Sequence, residues 1–123
     1  MLRKREIPEF DQVGTFIGKD VYFKGIIKAS SALRIDGKVE GEVQTEGDIL
    51  IGEAGRVEGN LQGRNVLIAG EITGNVSVSG KIEVAATGRI YGDLKAQNLV
   101  IDEGAVFQGH CQMTGSIKGK KEE

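Results

Sequence analysis

Residues 33–43, LRIDGKVEGEV, carry the pattern that decides the fold. Every odd position in this stretch is apolar or glycine, and every even position is charged. Successive side chains of a β-strand point to opposite faces, so this alternation indicates a strand with one buried and one solvent-facing side. Because no segment carries an apolar stripe of helical period, we expect no significant helix.

A unit in this stretch, apolar-x-Gly-x-apolar, recurs along the chain and reveals a repeat. Its central glycines are spaced by 16, 18, 15, 18 and 17 residues, and they are Gly25, Gly41, Gly59, Gly74, Gly92 and Gly109. A coil of about 17 residues is too short for a βαβ unit but suits three short strands joined by tight corners. We therefore predict an all-β fold, a parallel β-helix (β-solenoid) of about six triangular coils.

The parity of the apolar positions supports this repeat. In residues 82–94 the apolar and glycine pattern occupies even positions, whereas in residues 33–43 it occupies odd positions. The odd interval of 15 residues before Gly74 shifts the apolar pattern from odd to even positions. The odd interval of 17 residues before Gly109 returns it to odd positions. The spacing and the buried face therefore change together.

Composition excludes several protein classes. The 123 residues include nineteen glycines and one proline, whereas collagen needs glycine at every third position together with abundant proline. A net charge of −2 and a 5% aromatic content argue against a nucleic-acid partner. No phosphate-binding loop or dinucleotide fingerprint occurs, so we expect no cofactor.

The residue types of catalysis and metal binding are scarce. His110 and Cys111 are the sole histidine and cysteine of the sequence, and neighbours on a strand point to opposite faces. A metal site or a Cys–His nucleophile pair needs converging side chains. We expect an outward His110, an inward Cys111, no metal site and no enzyme. A lone cysteine is compatible with a reducing compartment.

The two ends of the predicted solenoid are apolar, whereas monomeric solenoids carry polar or helical caps there. Phe107 takes the core-facing position that Val57 and Ile90 fill in earlier coils, and no further coil is predicted beyond it. We predict self-association through both ends. The C-terminal residues are Phe107, Val106 and Met113, and the N-terminal residues are Phe16, Ile17, Tyr22 and Phe23.

Four segments carry a resemblance to a known family. Residues 15–18 (TFIG), 33–41 (LRIDGKVEG), 50–59 (LIGEAGRVEG) and 99–109 (LVIDEGAVFQG) resemble the bactofilins, in order and spacing, across about residues 15–113. The resemblance implies a right-handed β-helix that polymerises without nucleotide into non-polar filaments through contacts between like ends, in the bacterial cytoplasm. It also implies short tails, here residues 1–14 and 114–123, which we expect to be disordered.

In many bactofilins the N-terminal tail attaches filaments to the membrane. Here the attachment residues would be Met1, Leu2, Arg3, Lys4 and Arg5. The two apolar residues would insert, and each basic one would contribute about 1 kcal/mol beside anionic headgroups. The competing interpretation is a solvated terminus, since acidic residues follow. These same acidic residues argue against a secretory signal, so we expect a cytoplasmic protein. The resemblance implies that its filaments lie at the inner face of the membrane.

The sequence therefore predicts a structural polymer that scaffolds other proteins, with unidentified cell-wall or polarity proteins as candidate clients. One alternative is a monomeric β-solenoid interaction module. Another is a left-handed β-helix acyltransferase built from hexapeptide repeats. Two of the glycine intervals equal three hexads, but the other three break the hexad phase.

Overall fold

A computed structural model describes residues 13–113 and 117–119 of the chain. All regular elements in these two ranges are β-strands. In chain order they are β1 Val13–Ile17, β2 Tyr22–Ala29, β3 Ala32–Ile35, β4 Lys38–Thr45, β5 Asp48–Ile51, β6 Arg56–Gly63, β7 Asn65–Ile68, β8 Glu71–Val78, β9 Lys81–Val84, β10 Arg89–Ala96, β11 Asn98–Ile101, β12 Val106–Gln108, β13 Cys111–Met113 and β14 Ile117–Gly119. In the same ranges, no helical segment has the length and apolar character needed to cross a membrane.

The strands form two parallel sheets, and each coil contributes to both of them. The short-strand sheet has the order β1-β3-β5-β7-β9-β11-β14. The long-strand sheet has the order β12-β10-β8-β6-β4-β2, and β13 pairs with β10. Each coil contains one short strand and the long strand after it, so coil 1 is β1 with β2, and coil 6 is β11 with β12 and β13. The predicted all-β solenoid of about six coils is confirmed.

Corner lengths explain the uneven glycine intervals. The corner after the short strand has four residues at 18–21, 52–55, 85–88 and 102–105, but two at 36–37 and 69–70. The corner before the short strand is a single residue at Arg64 and at Gln97, and two residues at 30–31, 46–47 and 79–80. A single-residue corner shifts the alternation by one position, which is the physical reason for the predicted parity changes.

The core is a set of columns that run through the coils. Val39, Val57 and Ile72 lie side by side in register, and each is at most 1% exposed. In the short-strand sheet Ile35, Ile51 and Ile68 form another such column, all fully buried. Because the same inward position is apolar in coil after coil, stacking creates one continuous core along the axis.

Strand pairing extends beyond the predicted ends of the solenoid. β14 lies in the range 114–123 that the sequence assigned to a disordered tail, and it pairs with β11 through Leu99 and Ile117. The Ile-Lys-Gly sequence of β14 continues the alternation, and the free edge of β11 offers it hydrogen-bonding partners. β1 likewise begins at Val13, inside the predicted N-terminal tail. The proposed membrane residues 1–5 lie outside the described residues.

Candidate self-association surfaces at the terminal coils

A ladder of glycines distinguishes the first coil from the coils that follow it. All six coil-marking glycines have a backbone φ between 130° and 146°, a range that L-residues with a side chain rarely adopt. A Cβ on Gly59 would overlap the carbonyl oxygen of Gly41, and the same overlap with the preceding coil recurs at each later rung. At Gly25, in coil 1, the nearest atom is 3.5 Å away, in the Phe23 ring. The backbone contact that closes the ladder is therefore missing at that end.

An aromatic residue stands at each end of one core column. Phe23 is in register with Val39, and Phe107 with Ile90. The column members in coils 2 to 5 are at most 1% exposed, whereas Phe23 and Phe107 are half-buried. The register confirms the predicted core-facing position of Phe107. Both rings pack against the core, and among the described residues each has a register neighbour in this column on one side.

Other inward residues of coil 6 enlarge the apolar surface around Phe107. Cys111 is in register with Leu94, and Met113 with Ala96. Both are half-buried and pack against the core, as does Ala105 in the preceding corner. At the opposite end Ile27 is half-buried beside Phe23, and Ile17 is 7% exposed. Each terminal coil thus presents a patch of partly covered apolar side chains.

Three of the predicted end residues point outward instead of along these columns. Phe16 is 52% exposed and Tyr22 is 59% exposed, in register with Arg34 and Lys38. Val106 is in register with Arg89, on the same outer face. Their parity is opposite to that of Phe23 and Phe107, so they lie on the flanks of the terminal coils. The structure places these three side chains beside the end columns and not in them, and their part in self-association stays a prediction.

Cations of coil 2 cover the two aromatic flanks of coil 1. The Arg34 guanidinium carbon lies 5.9 Å from the Phe16 ring centroid, and Lys38 Nζ lies 5.7 Å from that of Tyr22. The Tyr22 hydroxyl donates a hydrogen bond of 2.9 Å to Glu40 Oε1. This bond lowers the pKa of the Glu40 carboxyl and raises the pKa of the Tyr22 phenol.

His110 and Cys111 diverge, as their neighbouring positions predict. The His110 side chain is 94% exposed, and its Nδ1 lies 3.5 Å from Asp93 Oδ1. Cys111 faces the core column, and burial raises the pKa of its thiol. Among the described residues, no three His, Cys, Asp or Glu side chains group in a way that could hold a metal ion. The geometry therefore offers surfaces for association and no converging reactive pair at these two residues.

Sequence reasoning missed two outward leucines in the middle of the molecule. Leu50 lies between the buried residues Ile49 and Ile51, so its side chain faces outward and is partly exposed. Leu67, between Val66 and Ile68, is 38% exposed. The sequence pattern could have revealed this, because each leucine lies at a position that alternates in step with outward charged residues of its own coil.

Comparison with known proteins gives three matches. A family model described as bactofilin, polymer-forming cytoskeletal, matches residues 15–112. A cryo-electron microscopy reconstruction of Thermus thermophilus bactofilin double helical filaments matches with 38% identity and a TM-score of 0.73, covering 79% of this chain and 98% of that one. A crystal structure of a phenylalanine-to-arginine mutant of Thermus thermophilus bactofilin matches with 29% identity and a TM-score of 0.59, covering 86% and 98%. No curated protein matches the chain.

Proposed function

Because the chain belongs to the bactofilin family of polymer-forming cytoskeletal proteins, we propose that it is a structural protein that assembles end to end into filaments. The observation that carries this proposal is the pair of half-buried rings, Phe23 and Phe107, at opposite ends of one core column. Equivalent positions in the middle coils are covered by a neighbouring coil on both sides. A second protomer would supply the missing cover.

The energetics of the ends favour association. Burial of apolar surface contributes about 25 cal/mol per Å². In addition, β2 and β12 are the edge strands of the long-strand sheet, with backbone groups available to another strand. A contact between like ends is self-complementary, since each end presents the same patch to its copy. We propose such contacts, which give a non-polar filament and need no nucleotide.

The substitution Phe107→Arg tests the end contact. It would bury an unpaired charge in the interface, whereas in the free protomer the arginine can reach solvent. We expect a folded protein that forms no filaments in negative-stain electron microscopy and stays in the supernatant after ultracentrifugation. Gln108→Arg is the matched control, because Gln108 is the next residue of the strand, points outward and is exposed. This control should polymerise.

Two results would contradict the assembly proposal. Wild-type protein that elutes as a monomer and forms no filaments would favour the monomeric interaction module. Filaments of Phe107→Arg that match those of the wild type would show that the C-terminal end is not a contact. Circular dichroism of the variant separates loss of assembly from loss of fold.

We also propose that the filament binds the inner face of the membrane through residues 1–5, in the cytoplasm, and there scaffolds other proteins. Three basic residues follow Met1 and Leu2, and many tails on one filament add weak contacts into stable attachment. Deletion of residues 1–9 should abolish co-sedimentation with anionic vesicles while filaments remain. Retained co-sedimentation would refute attachment by the tail, and vesicles of neutral lipid provide the control for charge.

The filaments of the Thermus thermophilus relative are double helical, and we propose that filaments of this chain also pair. Pairing requires a lateral contact in addition to the contact at the ends. Such a contact must lie on the flanks of the coils, which the end patches leave free.

A further inference from the structure

Over coils 1 to 6, the outward residues of the short-strand sheet form a column in which the residue types follow the same order from either end, and Lys118 of β14 continues the register beyond Val100. We call it the outer column, and from coil 1 to coil 6 its members in register are Phe16, Arg34, Leu50, Leu67, Glu83 and Val100. From either end, the order is an apolar residue, a charged residue and a leucine. The two halves differ in the sign of the charge. The midpoint lies between Leu50 and Leu67, halfway along the six coils.

We propose that the outer column is the lateral contact by which two protomers of this chain pair in opposite orientations, a proposal that rests on the filament assembly proposed above. The two protomers would be related by a two-fold axis that runs parallel to the strands, lies in the contact plane and passes between coils 3 and 4. Rotation about this axis sets the outer column of one protomer against that of the other, in the opposite direction. Leu50 then faces Leu67 of the second copy. Arg34 faces Glu83 of the second copy, and apolar Phe16 faces apolar Val100.

The centre of this contact is apolar. Leu50 and Leu67 are neighbours in register and line a shallow groove together with Asp48, Asn65 and Glu83. Leu67 is 38% exposed although it stands in the middle of the solenoid. The two-fold arrangement would bring four leucines together, two from each copy, and remove them from water.

The charges on either side of the leucines favour the reversed orientation. Arg34 Nε lies 3.1 Å from Asp36 Oδ2, and Lys81 Nζ lies 3.7 Å from Glu83 Oε1, so each charge already has a partner of opposite sign. Reversed docking sets Arg34 and Glu83 opposite each other and lets the signs alternate across the contact. Docking in the same orientation would set Arg34 against Arg34, so the charges specify one orientation.

The long-strand sheet offers no comparable surface in coils 2 to 4. In coils 2 to 4 the outward residues of the long-strand sheet are all charged or polar; they are Lys38, Glu40, Glu42, Gln44, Arg56, Glu58, Asn60, Gln62, Glu71, Thr73, Asn75 and Ser77. The outer column is narrow, and one such contact would be weak. It recurs along a filament, however, so its contributions add. Contacts between like ends also give each filament protomers of both orientations.

Substitution of the two leucines tests both the surface and its orientation. Leu50→Lys or Leu67→Glu alone would bury an unpaired charge against leucine, so we expect single filaments in place of paired ones. The double variant Leu50→Lys, Leu67→Glu would set opposite charges against each other in the reversed arrangement, and pairing should return. The double variant Leu50→Lys, Leu67→Lys should stay unpaired. Thr73→Lys, in coil 4 on the other sheet, is the control and should leave filaments paired.

Electron microscopy of filament width and sedimentation of polymer distinguish this proposal from the proposed function. Leu50→Lys should lower the paired fraction to near zero without reducing the sedimented fraction. Wild-type filaments that are single, or paired filaments that persist in both single-leucine variants, would overturn the lateral contact and leave end-to-end assembly intact. Recovery of pairing by the double-lysine variant, or its absence in the lysine–glutamate variant, would overturn the reversed orientation.

Discussion

The middle coils and the terminal coils place similar residues at equivalent positions, but with different neighbours. Ile72, in coil 4, has a neighbour on both sides of its column and is fully buried. Phe107, in coil 6, has Ile90 on one side and stays half-buried. A solenoid gives every coil the same core position, so what distinguishes the ends is the missing neighbour. The core and the proposed assembly surface therefore belong to one column, which has neighbouring coils on both sides in the middle and on one side at each end.

The glycine ladder should show the largest difference between the two regions. In Gly59→Ala the new methyl group would overlap the backbone of Gly41 and sit at a φ of 137°, so we expect a loss of about 3 kcal/mol or more in the free energy of unfolding. Gly25→Ala has the strained φ without the backbone overlap, and should cost about 1–2 kcal/mol. Urea unfolding followed by circular dichroism, in the Phe107→Arg background that prevents polymerisation, measures both.

Gly18→Ala serves as the control for the ladder. Its φ lies outside the strained range, and the nearest atom to a new Cβ would be 3.9 Å away, in the Phe16 ring. We expect a change within about 0.5 kcal/mol. Equal losses in Gly59→Ala and Gly25→Ala would mean that the stacked backbones, and with them the distinction between middle and terminal coils, do not determine stability.

Substitutions in the middle and at the end of the core column should affect stability and assembly differently. Ile72→Ala removes fully buried methyl groups and should lower the free energy of unfolding by about 2–5 kcal/mol, with no change in how the folded protein polymerises. Phe107→Ala removes a half-buried ring and should cost less stability. It should nevertheless raise the protein concentration needed for polymerisation by about tenfold or more. If Ile72→Ala shifted that concentration more than Phe107→Ala did, the assignment of assembly to the terminal column would be wrong.

Cys111 provides the smallest and most local test of the comparison. Burial raises the pKa of its thiol, so at pH 8 less of it is thiolate than of an exposed cysteine. In unassembled protomers we expect slower alkylation by iodoacetamide than for free cysteine, with a rate that rises as the pH increases. A contact at the C-terminal end would slow it further in filaments. The same rate in filaments and in Phe107→Arg protomers would show that coil 6 stays uncovered.

The solenoid could be predicted from the sequence because each coil contacts only its neighbours, so its buried positions and its corner glycines recur within a short stretch of chain. The alternation in residues 33–43 gave the buried face, and the glycine intervals gave the register, including the parity shifts that single-residue corners at Arg64 and Gln97 explain. The alternation also distinguishes Phe107, which faces the core, from Phe16 and Tyr22, which do not. The assignment of Phe16 and Tyr22 to the end rests on their apolar character, without the alternation being applied to them.

Other features could not be predicted from local pattern. β14 is three residues long, and its pairing depends on the free edge of β11, which no pattern within 117–119 reveals. The outer column depends on which coils adjoin, since Arg34, Leu50, Leu67 and Glu83 come from four different strands. Such a surface becomes visible when the register of the sheet is known.

A reconstruction of wild-type filaments by cryo-electron microscopy would test end-to-end assembly without any substitution, because it shows what covers the terminal coils. We expect that Phe107 packs against a like end of the next protomer, that Phe23 does the same at the opposite end, and that protomer orientation alternates along the filament. Filaments in which both rings remain exposed, or in which the C-terminal end of each protomer meets the N-terminal end of the next, would contradict it.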